Sequence, residues 1–523
     1  LCLAGLLFAL TRLSDAWALP VLAIFSCLCL LGVIDLIQTR HAVRRNYPII
    51  GRLRWAFEKI RPEIRQYLIE GDDDQTPFSR AQRSLVYARA KDEVSDRPFG
   101  TLSDVYKNGY EFISHSTKPK PLSDPDSFRV PIGGSDARDP YMASIFNISA
   151  MSFGSLSANA IRALNKGAKF GDFAHDTGEG GISPYHRENG GDLIWEIGSG
   201  YFGCRTEKGR FDPVRFADNV ADPQVKMIEL KLSQGAKPGH GGMLPASKIS
   251  AEIAAARGIP MGHDCISPAA HSAFTSPVQM MEFLGKLRNL SGGKPVGFKL
   301  CIGHQREFMC MVKAMLDTGI VPDFIVVDGT EGGTGAAPLE FANHVGMPMV
   351  EGLTFVHNPL RGAGIRDQVK LGAAGKVVSA FDIARALALG ADWCNSARGF
   401  MFAVGCIQAQ ACQTNHCPVG VATQDPTRQR ALDVDDKSQR VARFHRNTLM
   451  ALGEMTGAAG LEHPSDFLPR HMMMRQSDNS MVQGDQVYGY LPEGYLLDDQ
   501  SPDYNGNKTR WARAQADSFV PFD

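Results

Sequence analysis

What this sequence lacks first is any imbalance of charge. Its 55 lysines and arginines face 56 acids, a formal net charge of −1, so no field of one sign draws it to nucleic acid or another polyanion. The paired cysteine spacings of a secreted disulfide framework are missing too. Eleven cysteines are scattered, with Cys204, Cys265, Cys301, Cys310 and Cys394 standing singly, which favours a reducing compartment. No glycine fingerprint for dinucleotide binding is read after an early strand, and no G-x-x-x-x-G-K-S/T occurs. A Rossmann unit and a triphosphate loop are thereby set aside.

What is present begins with "AWALPVLAIFSCLCLLGVI", Ala16 to Ile34, uncharged over 19 residues and close to the roughly 20 that cross a hydrocarbon core as a helix. A signal peptide or a buried core helix would need a cleavage pattern or a shorter run. The preceding "LCLAGLLFAL" is apolar as well and opens on leucine, so the chain is expected to start inside a first membrane segment and to form a transmembrane helical hairpin over residues 1–38. Arg40, Arg44, Arg45, Arg52 and Arg54 follow it. By the positive-inside rule the body then faces the cytoplasm from the inner membrane. Residues 39–140 read as an amphipathic helical linker and extension, with Asp72 to Asp74 marking an exposed turn.

From Tyr141 on, short apolar or β-branched runs alternate with helical stretches, the pattern of repeated βα units. Eight runs are expected as strands: "ASIFNISAMS", "FAHDTGEGG", "KMIELKLSQG", "GHDCISP", "PVGFKLCIG", "DFIVVDGTEGG", "QVKLGAAGK" and "DWCNSARG". They define an α/β fold, a (β/α)8 TIM barrel over residues 141–461, with an extended tail at 462–523. Nearly every run ends in glycine, serine, lysine or aspartate, where such a barrel places its chemistry. The glycines after the last two runs suit a phosphate held by backbone N–H groups, though they would equally make tight turns.

"GCIQAQACQTNHCPVG", Gly405 to Gly420, spaces Cys406, Cys412 and Cys417 as C-x5-C-x4-C. Three thiolates suit a cluster with three irons. Inert buried thiols, or zinc with His416 as a fourth ligand, remain open at this level.

Read together, "SAMSFGSLS", "DTGEGG", "QGAKPGHGGMLP", "VGFKL", "GGTGAAPL", "GADWCNSARG" and "GCIQAQACQTNHCPVGVATQDP" resemble, in order, the synthase domain of glutamate synthase, from about Tyr141 to Leu461. The resemblance implies FMN, a 3Fe-4S cluster held by Cys406, Cys412 and Cys417, and reductive amination of 2-oxoglutarate. Carried onto this chain, it puts Met151 and Ser152 behind the flavin and Lys299 facing it. Gly332, Gly333, Thr334, Gly375, Lys376 and Arg398 lie around FMN, the later ones nearest its phosphate. Gln234 and Lys237 hold substrate, and Glu179 contacts the imine nitrogen or incoming amine. His175, His240 and His271 share these loops and are read as hydrogen-bonded loop residues.

Two positions depart from the family pattern: Tyr201 in "SGYFG" stands where an arginine is usual, and His240 in "KPGHGG" where an acid is usual; Arg205 is a candidate to compensate. A glutaminase domain with its N-terminal cysteine is replaced by the apolar run, so no glutamine hydrolysis is expected. The chain resembles a stand-alone, membrane-anchored form taking a 2-oxo acid with free ammonia or an amine. Electrons would come from a ferredoxin-like protein, an NAD(P)H-dependent subunit or a quinone, and a homo-oligomer is compatible. The competing expectation is an electron-transfer flavin and iron–sulfur subunit without amination chemistry.

Overall fold

The computed structural model describes residues 2–11, 17–74, 77–96, 98–134 and 139–520. It divides into two compact units, Leu1–Arg80 and Ala81–Asp523.

In the first unit, α1 (Cys2–Leu10) lies against α2 (Ala18–Ile37), and α3 (Ala42–Asn46) leads to α4 (Gly51–Ile64). Gly5 permits the close approach of α1, because a Cβ there would sit 2.4 Å from the Phe25 ring. The turn expected between the two apolar segments falls at residues 12–16, outside the described residues. With 20 residues and a mean hydropathy of 2.5, α2 is long and apolar enough to cross a membrane.

In the second unit eight parallel strands close a barrel in chain order. They are β1 (Phe146–Ile148), β2 (His175–Asp176), β3 (Leu193–Ile197), β4 (Val225–Lys231), β5 (Val296–Leu300), β6 (Phe324–Asp328), β7 (Lys370–Ala374) and β8 (Trp393–Ser396). Seven of the eight expected runs are barrel strands. The eighth, "GHDCISP", is not: Cys265–Ile266 pairs antiparallel with Met243–Leu244 outside the barrel. Its place is taken by Leu193–Ile197, whose five residues are all buried. A strand covered on both faces shows no alternation, so period two cannot reveal it. Directly after it, Gly198, Gly200 and Gly203 do spell G-x-G-x-x-G. The next helix starts only at Pro213, so this turn lacks the helix N-terminus that a dinucleotide pyrophosphate requires.

Helices cover the barrel with ordinary start signals. Ser157 Oγ accepts from Ala160 N–H at 3.2 Å to cap Ala158–Gly171, and Ser276 caps Pro277–Leu290, which has proline in its first turn. Residues 462–523, expected as an extended tail, carry strands Met472–Arg475 and Met481–Gln483 in one sheet with Glu111–Ile113. Farther on, Leu491, Tyr495 and Leu496 form a small buried cluster with Trp511 against them. Their apolar residues are irregularly spaced among Pro and Gly, so no period announces the packing.

Candidate active site

The loops that leave the strands' C-terminal ends converge on one mouth. Ser152, after β1, is buried, and its Oγ donates to Ser155 Oγ at 3.1 Å; Met151 beside it donates N–H to Asp176 O at 3.4 Å. Gly178, with φ +63, brings the β2 loop against them, since a Cβ there would lie 2.7 Å from Ser152 N. That loop presents Glu179, whose Oε2 is 3.1 Å from Lys231 Nζ at the end of β4. Lys231 also donates to Gln234 Oε1 at 2.6 Å. Burial opposes ionisation of Glu179, but Lys231, with Arg257 and Lys237 behind it, holds its carboxyl below the usual value. Lys237 is buried too, and burial lowers its ammonium.

Beneath this pair the barrel interior is charged. Lys299, on β5, is ion-paired with Glu196 Oε2 of β3, with Glu229 Oε1 of β4 at 3.0 Å and with Asp176 Oδ2 of β2 at 3.9 Å. All four side chains are 3% exposed or less. Burial opposes the lysine's charge, but Glu196, Glu229 and Asp176 keep it protonated far above its ordinary range. Lys299 is shared by all three carboxylates, and a second ammonium, Lys231, reaches only Glu196, at 3.7 Å from its Oε1. Burial and mutual repulsion push Asp176 well up, and Glu229 up to about 7. Lys299, expected to face a flavin, thus has its charge taken up within the barrel.

A pH signature follows. A carboxyl raised in the fold binds more protons folded than unfolded between its ordinary value and about 7, so stability falls as pH rises through that window. Glu229→Gln should flatten this fall, and thermal unfolding of both proteins from pH 5 to pH 8 checks it. Parallel profiles would show that Glu229 is not the group titrating.

On the far side Arg398, after β8, reaches the loop that follows β6, its Nη2 donating to Thr334 O at 2.6 Å. A Cβ on Gly333 would come within 2.8 Å of Arg398 Nε, so glycine is what lets the guanidinium lie flat on this loop. Gly332 closes the same turn by donating N–H to Gly329 O at 2.9 Å. After β7, Gly375 and Lys376 have φ of +150° and +52°. A lysine in the left-handed region is a strained residue of the kind that clusters at ligand loops.

Arg398 also reaches the thiols, with Nη1 4.0 Å from Cys412 Sγ. Cys406 and Cys417 are buried, Cys412 half-buried, and none is in a disulfide. Burial pushes Cys406 up to about 11, with Gln408 N–H and Arg398 acting the other way and Cys412 and Cys417 adding to the rise. Buried Lys248 pins the loop, donating to Ser155 O at 2.9 Å, Cys412 O at 3.3 Å and Ala422 O at 3.4 Å. Gln424 does the same from the "GVATQDP" end, through Leu156 O at 2.8 Å and Gly154 O at 3.1 Å. Among the described residues the three sulfurs do not all lie within 4.8 Å of one another.

The two departures are built into loops. Tyr201, at φ +49 and fully buried, accepts from Ala273 N–H at 3.1 Å and contacts His271 Nδ1 at 3.1 Å. His271 Nε2 in turn meets Lys231 O at 2.8 Å, so the tyrosine steadies the strand end that carries Lys231. His240 contacts Gly241 O at 2.9 Å through Nδ1 and lies edge-on to Phe341. Arg205 and Arg257 both lie over the Phe202 ring, 5.4 and 5.1 Å from its centroid, and Arg257 is the one that also bonds the β1 loop. It is buried and bonds Ser152 Oγ and Phe153 O at 3.4 Å each. Among the described residues no carboxylate lies in ion-pair range of it, although its charge is felt by Glu179, and its Nε is buried without a hydrogen-bond partner. Sequence reading passes over Arg257, Lys231 and Lys248. A charge inside an apolar strand, as in "IELKL", is the signal that could have pointed to Lys231.

Fold and mouth together define a class: a (β/α)8-barrel protein whose C-terminal face joins a lysine–carboxylate network to a loop of three thiols. The conserved region of glutamate synthase matches residues 112–462 as a family profile. A glutamate synthase large subunit-like protein of Bacillus subtilis, YerD, is 38% identical over 491 residues, covering 86% of this chain and 93% of that one. The archaeal glutamate synthase (NADPH) of Methanocaldococcus jannaschii is 35% identical over 318 residues, 60% of this chain and 58% of that protein. The large chain of the B. subtilis NADPH glutamate synthase is 33% identical, but the match spans only 22% of its length. The chain belongs to the glutamate synthase family.

Proposed function

We propose that this chain is a membrane-anchored FMN and iron–sulfur oxidoreductase that reductively aminates a 2-oxo acid, 2-oxoglutarate to glutamate, with free ammonia or an amine. The carrying observation is Arg398, one side chain that touches both the glycine loop after β6 and the thiol loop.

Gly332, Gly333, Thr334, Gly375, Lys376 and Arg398 would hold FMN, with Met151 and Ser152 behind its ring. Cys406, Cys412 and Cys417 would hold a 3Fe-4S cluster. The donor set fits it: three thiols share one loop, with Arg398 Nη1 4.0 Å from Cys412 Sγ and Lys248 Nζ on the Cys412 carbonyl at 3.3 Å, cations that offset thiolate charge. When bound, the flavin supplies a hydride and the cluster single electrons.

The chain's own residues do the rest. Arg257 and Lys237 supply cations for the carboxylates of a 2-oxo diacid, the arginine because a buried guanidinium lacking a carboxylate has room for one. Ionised Glu179 accepts a hydrogen bond from the incoming nitrogen and orients it. Lys231, kept protonated by Glu179 and Glu196 despite burial, donates towards the substrate oxygen, and Gln234 fixes its position. Electrons would enter from a partner protein or a quinone, with α2 as the anchor and the barrel on the cytoplasmic side.

Anaerobic purification followed by visible spectroscopy tests this. The expected material is yellow-brown, with one FMN and three irons per chain, and its chemically reduced flavin is reoxidised by 2-oxoglutarate plus ammonium or methylamine. A coloured protein reoxidised by no pair across a panel of 2-oxo acids and amines would leave electron transfer alone. A colourless one would remove both readings.

A further inference from the structure

In the first unit, α4 carries an exposed apolar face. Leu53, Phe57, Ile60 and Ile64 recur at i, i+4, i+7 and i+11, one face of a helix. The first three are 55%, 60% and 47% exposed. The opposite side of α4 is the one turned onto its own unit. Trp55 lies under the Arg44 guanidinium at 4.5 Å and edge-on to His41, and Gly51 is buried. Basic residues Arg54, Lys59 and Arg61 flank the apolar stripe. Over residues 40–65 eight arginines and lysines stand against two glutamates, Glu58 and Glu63, in a chain of net charge −1.

A second observation sets the depth of this helix. Asp35, in the last turn of α2 and fully buried, takes Arg52 in a two-toothed ion pair: Nη2 to Oδ1 at 2.7 Å and Nε to Oδ2 at 2.9 Å. Its Oδ2 also accepts Ile49 N–H at 3.0 Å. The start of α4 is thereby tied to the end of α2. A 20-residue helix is about 30 Å long, the thickness of the hydrocarbon core, so a segment fastened to its last turn lies at headgroup level.

We propose that α4 is an interfacial helix. Its Leu53–Phe57–Ile60–Ile64 stripe enters the acyl boundary, and its flanking arginines and lysine bind the phosphates of anionic phospholipids. The depth of this helix, though not its lipid-binding face, rests on α2 spanning the membrane. The helix adds a lipid-binding surface to what would otherwise be a simple tether, and makes the protein selective for anionic bilayers.

The test uses the full chain in phosphatidylcholine vesicles with or without phosphatidylglycerol. A photo-crosslinking amino acid replaces Phe57, or Glu58 as the off-face control. Lipid adducts are read by mass spectrometry, and membrane association by flotation before and after alkaline carbonate. The expected result is carbonate-resistant flotation with at least fivefold more phosphatidylglycerol adduct at 57 than at 58. Arg54→Glu with Arg61→Glu should abolish that excess while the protein still floats. Carbonate-resistant flotation with equal adducts at 57 and 58, or adducts indifferent to the charge reversal, would overturn the interfacial helix and leave α2 as a span. Flotation lost in carbonate, with the 57 excess intact, would retain the lipid surface and remove the span. No flotation overturns both.

Discussion

Replacing Lys299 by methionine is expected to cost the barrel a large part of its folding stability. The substitution keeps the length and apolar stem of the side chain but removes the cation that Glu196, Glu229 and Asp176 share in the barrel interior. Breaking a buried pair from one side costs about 3–5 kcal/mol, because a charge is left in a medium that cannot solvate it, against a total of about 5–15 kcal/mol for a typical domain. Some of this is relieved by protonation, since Glu229 already titrates near 7. Lys299→Met should therefore be less destabilising at pH 6 than at pH 8. Adding Glu229→Gln should recover part of the loss, because the two sites are in contact and their effects are not additive. Urea unfolding of the parent, Lys299→Met and the double variant measures this at both pH values. A midpoint for Lys299→Met equal to that of the parent at pH 8 would show that the acids do not depend on this lysine.

The second large effect is expected at Arg257. Removing one partner of a buried, hydrogen-bonded charge pair costs about 2–5 kcal/mol. Arg257→Ala should then weaken 2-oxoglutarate binding by about 30- to 5,000-fold and raise KM far more than it lowers kcat. Arg205→Ala should do less, because both guanidiniums rest on Phe202 but it is Arg257 that bonds Ser152 Oγ and Phe153 O in the β1 loop. Calorimetric titration of the oxidised protein with 2-oxoglutarate separates the two. Equal losses at both positions would move the carboxylate site from the β1–β2 side of the mouth to the rim. A monocarboxylic 2-oxo acid of similar length serves as a control: if Arg257 holds the distal carboxylate, the substitution should change its affinity much less.

Much of this site was legible before any coordinates. Loop residues that follow a barrel strand are placed by topology alone. Knowing that Glu179 follows β2, that Gln234 and Lys237 follow β4, and that Gly332 to Thr334 follow β6 was enough to predict that they share a mouth. The thiols were legible for another reason: Cys406, Cys412 and Cys417 are close in the chain, so spacing limits how far apart they can be. The strand Leu193–Ile197 was not legible, since both of its faces are buried. Its loss hid Glu196 and moved "GHDCISP" wrongly into the barrel.

By itself, the sequence determined the apolar run that forms α2, the repeated strand and helix alternation of a (β/α)8 fold, and the clustering of three cysteines. Each is a matter of run length, period or short spacing, quantities the chain carries locally. Only the tertiary structure decided that Lys299 pairs with Glu196, Glu229 and Asp176, that Lys248 clamps the thiol loop, and that Arg257 is buried against Ser152 and Phe153. A buried charge takes its character from whichever groups come within about 4 Å of it, and here they arrive from strands and helices tens of residues away, a distance no periodicity records.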